Sequence, residues 1–149
     1  MTAPPPPDSE DRLAYAVSLM QGAAAIAATA HGQTGRRHIL PFFLLICFAL
    51  ENGLKAYLEY RGVDKQQKID RPPLAHDLNR LCKLATTAGL NLHANSIKLI
   101  DSLRDSHLEH HFRYPKKAGT VEVYSDEFAY VWTEQMLAAV AAGINYQPS

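Results

Sequence analysis

Only two cysteines, Cys47 and Cys82, occur in the 149 residues, and both fall inside apolar helical patterns. That argues against a disulfide framework and fits a reducing, cytoplasmic compartment better. Charge of one sign is also missing: 15 Lys plus Arg balance 15 Asp plus Glu. The balance argues against capture of nucleic acid by the whole surface, while a small basic patch, doubled in a symmetric dimer, stays compatible with it. The longest apolar run, Ile39 to Leu50, contains Pro41 and falls short of the about 20 residues a bilayer span needs. It reads as the buried helix of a bundle, and no membrane association is expected. Met1-Thr2-Ala3 followed by four prolines does not have the pattern of a signal peptide. Internal repeats are missing, and strand alternation is nearly so, which leaves an all-α fold of one domain large enough to bury a core.

Helix signals punctuate the chain. Pro4 to Pro7 reads as an extended tail. Asp8 or Ser9 is expected to cap a first helix, with Leu13, Val17, Met20, Ala24 and Ala27 as its inner stripe and a loop over His31 to Gly35. The second helix is expected from Pro41 to Arg61, before Gly62, with a stripe of Leu44, Cys47, Leu54 and Leu58. Glu51 interrupts that stripe four residues before Lys55. It reads as an intrahelical ion pair or as a carboxylate that orients something in a cleft. Pro72-Pro73 keeps Val63 to Pro73 out of helix. A third helix over His76 to Ala88, stopped by Gly89, precedes a fourth over Ala94 to Arg113. Ser125 caps a fifth, whose inner face is read as Phe128, Val131, Trp132, Gln135 and Ala139.

The most informative stretch is Leu103 to Pro115. At about 100° per residue, Arg104, His107 and His111 fall within about 60° of one another. Ile97, Ile100 and Leu108 point into the same sector, whereas Lys98, Asp105 and Glu109 point elsewhere. A cation and two imidazoles thus sit in an apolar stripe, where each needs a partner, a cleft or a ligand. His76 reads as a helix-start residue or as a second wall of that cleft. Arg113 reads as a phosphate contact outside it, Tyr114 as a base-stacking ring or a plain helix stop, and Lys116-Lys117 as nearby positive charge.

Three segments in chain order resemble HEPN domains. They are Ala49 to Leu58 with Glu51 and Lys55, His76-Asp77-Leu78 after a polar loop, and Leu103 to Pro115 with its Arg113-Tyr114-Pro115 ending. The likeness runs from Pro41 to Lys116, about half the chain. It implies an antiparallel up-and-down four-helix core with an additional helix, as a single HEPN-like domain over residues 9–146 behind a disordered proline-rich tail over 1–8. It further implies a homodimer acting on RNA or a nucleotide, no cofactor, and a cognate nucleotidyltransferase-type or antitoxin partner. Many such domains are metal-independent ribonucleases of toxin–antitoxin or defence systems. Their signature is an Arg, a polar residue, then a His after four to six intervening positions. Arg104 and Asp105 fit its start, with His110 after five intervening residues and His111 after six. His111 fits the helical geometry better, since His110 lies about 120° from Arg104.

In that reading Arg104 stabilises the charged phosphorane and His111, or His110, takes the 2′-hydroxyl proton. Glu51, Lys55, His76, His107, Arg113 and Tyr114 line the RNA or nucleotide site. The sequence departs from the signature at Asp105, a carboxylate beside the scissile phosphate, and at Glu109, which stands at the shortest His spacing. One alternative is a non-catalytic dimeric binding or interaction module, in which the fourth-helix imidazoles hydrogen-bond Glu51 or a partner helix. Another is a metal-binding bundle in which His107 and His111, spaced i, i+4, chelate zinc with Glu51 or His110. It is the weaker, because no second His pair and no Glu-x-x-His motif occurs. A dimer also follows from the all-round apolar start of the second helix at Phe42, Phe43 and Ile46.

Overall fold

The computed structural model describes residues 7–29, 39–113 and 123–145. Among them are five α-helices and no strand: α1 (Pro7–Ala28), α2 (Ile39–Tyr60), α3 (Leu78–Thr87), α4 (Ala94–Leu108) and α5 (Asp126–Gly143), with a short 3-10 turn at Val63–Lys65. The fold is an all-α bundle of packed helices. α2 is its axis and touches each of the other four α-helices. Its apolar residues go nearly all round, so one neighbour could not cover them. Phe43, Ile46, Leu50, Leu54 and Leu58 are all fully buried, each contributing about 1.5–3 kcal/mol relative to exposure. By length and composition Leu40–Tyr60 could cross a membrane, and 72% of its most apolar 18-residue window is buried within the bundle.

Contacts fix the helix directions. Arg12 reaches Asn52 and Glu59 while Gly22 lies against Leu45, so α1 runs antiparallel to α2. α4 runs antiparallel to α3, with Arg104 on Asp77 and Asp101 on Asn79. α2 ends at Gly62, whose φ of 75° only glycine adopts without cost. Residues 61–77 then carry the chain back, so that α3 begins level with Glu51 and ends beside Tyr57. α5 packs closely on α2 at Gly53, where an added Cβ would come within 2.6 Å of Leu137.

Several expectations need correction. α1 already includes Pro7, and its inner face is Leu13, Ala16, Met20 and Ala23, with Val17 39% exposed. The buried face of α5 is Ala129, Thr133, Met136, Leu137 and Val140, whereas Phe128 and Val131 face out. In both helices alanines share the inner face with larger residues, Ala16 and Ala23 beside Leu13 and Met20 in α1, and Ala129 beside Met136, Leu137 and Val140 in α5. α3 starts after His76, which lies outside the helix. Phe42, Phe43 and Ile46 are covered by their own chain, so they are not a dimer surface. The fourth helix ends at Leu108 rather than Arg113. The tail at 1–6, the 31–35 loop, Tyr114, Lys116 and Lys117 lie outside the described residues.

Candidate functional site: a buried carboxylate and two histidines

α2 presents Glu51, Lys55 and Glu59 at i, i+4 and i+8, three charged side chains along one face and all buried. Glu51 Oε1 sits 2.7 Å from His76 Nδ1 and 2.9 Å from His107 Nε2. An ionised carboxylate only accepts, so both ring nitrogens donate to it. Glu51 Oε2 accepts from Lys55 Nζ at 3.3 Å, and Lys55 in turn donates to Asp70 Oδ1 at 2.8 Å. Arg12 closes the chain of charges by donating to Asp70 Oδ2 at 3.1 Å and pairing with Glu59. Burial pushes the Glu51 carboxyl up, but the His107 hydrogen bond and the charges of Lys55, His107 and His76 outweigh it and hold the group down at about 2. Burial wins at Glu59 and raises it against the opposing pull of Arg12. Burial, with the Glu51 charge adding, pushes the Cys47 thiol well above its ordinary range, which makes it an inert core group.

The backbone before α3 delivers His76. Its φ of 65° is a left-handed conformation unusual outside glycine. The next residue, Asp77, caps α3 by accepting from the Arg80 N–H at 3.2 Å. The same carboxylate takes the Arg104 fork, Nε on Oδ1 at 3.1 Å and Nη2 on Oδ2 at 3.2 Å. Burial opposes ionisation of Asp77, but these hydrogen bonds hold it below the usual carboxylate range. Arg104 also donates to Asp105 at 3.1 Å.

α4 ends in a Schellman motif without glycine. His110 has φ 60°, its N–H donates to His107 O at 3.2 Å, and the His111 N–H donates to Ser106 O at 2.9 Å. That reversal removes His111 from the helix, so Arg104, His107 and His111 do not share a helical face. His111 Nε2 pairs with Glu109 at 2.9 Å. The His110 ring packs edge-on against His76 with centroids 5.5 Å apart. The Arg113 guanidinium lies 4.8 Å over the Phe48 ring, whose own edge contacts reach His76 and His107.

The structure therefore brings together Glu51, Lys55, His76 and His107 from the sequence-predicted set. It places His110 and Arg113 around them, Arg104 one step away through Asp77, and His111 with Glu109. The ligand-type atoms of Glu51, His76 and His107 lie within 4.8 Å of one another, an arrangement able to share a proton or hold a cation. Sequence reasoning missed Arg12, Glu59, Asp70 and the clamping role of Asp77. The available signal was that a carboxylate and an imidazole, each inside an apolar stripe, must meet something polar. Arg12 and Asp70 lie in polar surroundings and gave none. Comparison with protein-family models, curated proteins and solved structures found no match to this chain.

Proposed function

We propose that this protein is a HEPN-like helical module that binds RNA or a nucleotide through its phosphates without cleaving it. The reading rests on the grouping of cations around the start of α3 and the end of α4. Arg80 and Arg104 share Asp77, Arg113 lies over Phe48, and His76 packs on His110. The Arg80 and Arg104 side chains keep 57% and 36% of their surface exposed, so a phosphate can compete with Asp77 for a guanidinium fork. The ordered segments that resemble HEPN domains contain His76, Asp77, Arg104, His110 and Arg113 of this group. A cytoplasmic homodimer, as in that family, would present the cluster twice.

Cleavage by Arg104 and His111 requires both groups to leave their carboxylates, Asp77 and Glu109, and to meet at one phosphate. Binding requires only the first of these moves. The test is fluorescence anisotropy of a labelled single-stranded oligoribonucleotide and of a labelled nucleoside triphosphate at several salt concentrations. Saturable, salt-sensitive binding that weakens in Arg104→Ala and Arg113→Ala, with RNA intact on a gel, is the expected outcome. Failure of the wild type to bind either probe overturns the reading. Chelator-resistant cleavage that disappears in Arg104→Ala and His111→Ala replaces it with a ribonuclease.

A further inference from the structure

We propose that Glu51 Oε1, His76 Nδ1 and His107 Nε2 form a binding site for a single zinc-class divalent cation. The proposal goes beyond the phosphate-binding reading and does not depend on it. Two imidazoles and one carboxylate are borderline ligands of the kind that first-row divalent ions select. The three come from three separate pieces of structure, the middle of α2, the turn before α3 and the last turn of α4, and converge on one point. The two rings meet edge to face with centroids 5.5 Å apart.

Metal bonds of about 2.0–2.2 Å place neighbouring ligand atoms about 3.3 Å apart around a tetrahedral ion. The Glu51 to His76 and Glu51 to His107 separations are 2.7 and 2.9 Å. Widening those two separations by about half an ångström meets the tetrahedral spacing, and the third, between His76 Nδ1 and His107 Nε2, lies within 4.8 Å. No proton need leave a neutral ring. His76 moves its proton from Nδ1 to Nε2, and His107 from Nε2 to Nδ1, which frees both facing lone pairs.

The surroundings suit such a site. Lys55 holds Glu51 Oε2 at 3.3 Å, which leaves Oε1 aimed at both rings, the kind of outer support that ligating carboxylates have. The Lys55 charge is itself balanced by Asp70 at 2.8 Å. The connected network carries three carboxylates, Glu51, Glu59 and Asp70, against two cations, Arg12 and Lys55. His76, with 33% of its side chain exposed against 5% for Glu51 and 3% for His107, is the edge of the site that faces solvent.

The experiment is titration of the full-length, chelator-stripped protein with Zn²⁺ by calorimetry and with Co²⁺ by visible absorption. The expected result is one ion per chain, a cobalt ligand-field band, and a thermal midpoint that rises with added zinc. His76→Ala is the main variant, because His76 is partly exposed and outside the helices. It should weaken zinc binding about 100-fold or more and abolish the band. His93→Asn, remote from the site and still able to cap α4, should bind as the wild type does. Absence of saturable uptake by the wild type, or equal affinity in His76→Ala, overturns the proposal. Neither result bears on the RNA anisotropy assay, so the two readings fail separately.

Discussion

Replacing Glu51 with Gln should destabilise the metal-free protein by about 3 kcal/mol at neutral pH. The carboxyl moves from an ordinary value of 4.5 down to about 2 on folding, and each unit corresponds to about 1.4 kcal/mol. Removing one member of a buried charged cluster costs about 3–5 kcal/mol, a range in which this falls at the lower end because Lys55 keeps Asp70. The amide conserves shape but cannot accept from both rings and Lys55 at once. Because the folded-state value is depressed, the stabilisation is complete above about pH 4.5 and is lost as pH falls toward 2. The gap between wild type and Glu51→Gln should therefore be about 3 kcal/mol at pH 7 and about 1 kcal/mol at pH 3. Other depressed carboxylates, Asp70 and Asp77, are present in both proteins and cancel in the difference. Urea unfolding of chelator-treated protein at the two pH values measures the gap, which corresponds to a thermal shift of about 6–12 °C at neutral pH. A gap under about half a kcal/mol at pH 7, or one that does not change with pH, would refute the reasoning.

Gly53→Ala should lose about 1–2 kcal/mol in the same unfolding assay, since its Cβ would meet Leu137 at 2.6 Å and Met136 at 2.9 Å, a clash larger than the helix-propensity gain. An unchanged or raised midpoint would mean that α2 and α5 are not so close. Asp77→Ala should cost about 1–2 kcal/mol by removing the α3 cap, and should strengthen the binding of a labelled oligoribonucleotide by releasing Arg104. Weaker RNA binding in a folded Asp77→Ala protein would count against phosphate capture by Arg104.

The sequence made the helical class legible, together with some of the helix ends. Gly62 and Gly89 stop α2 and α3, and Ser125 starts α5, as their residue types require. Two kinds of feature were hidden. The first is a turn made by a residue that rarely makes it: His110 reverses the chain with φ 60°, while the nearest visible breaker is Pro115. The projected Arg104 to His111 face depended on that missed stop. The second is the rotation of α1 and α5, whose buried faces mix alanines with large apolar residues, so that hydrophobicity alone does not pick them out. Ala16, Ala23 and Ala129 are fully buried while Val17, Phe128 and Val131 face out. Within the candidate site, the two polar interruptions of apolar stripes, Glu51 and His107, were legible, and they do meet. His76 was legible as a wall of the same cleft, but not its left-handed turn, which seats Nδ1 on Glu51.

The most direct measurement of a shared Glu51 acceptor is the imidazole ¹⁵N spectrum of the chelator-treated protein and of Glu51→Gln. A shared acceptor requires His76 protonated at Nδ1 and His107 at Nε2 in the wild type, with the nitrogen shifts of both rings displaced together by the substitution. The opposite tautomer on either ring, or rings indifferent to loss of the carboxylate, would contradict it.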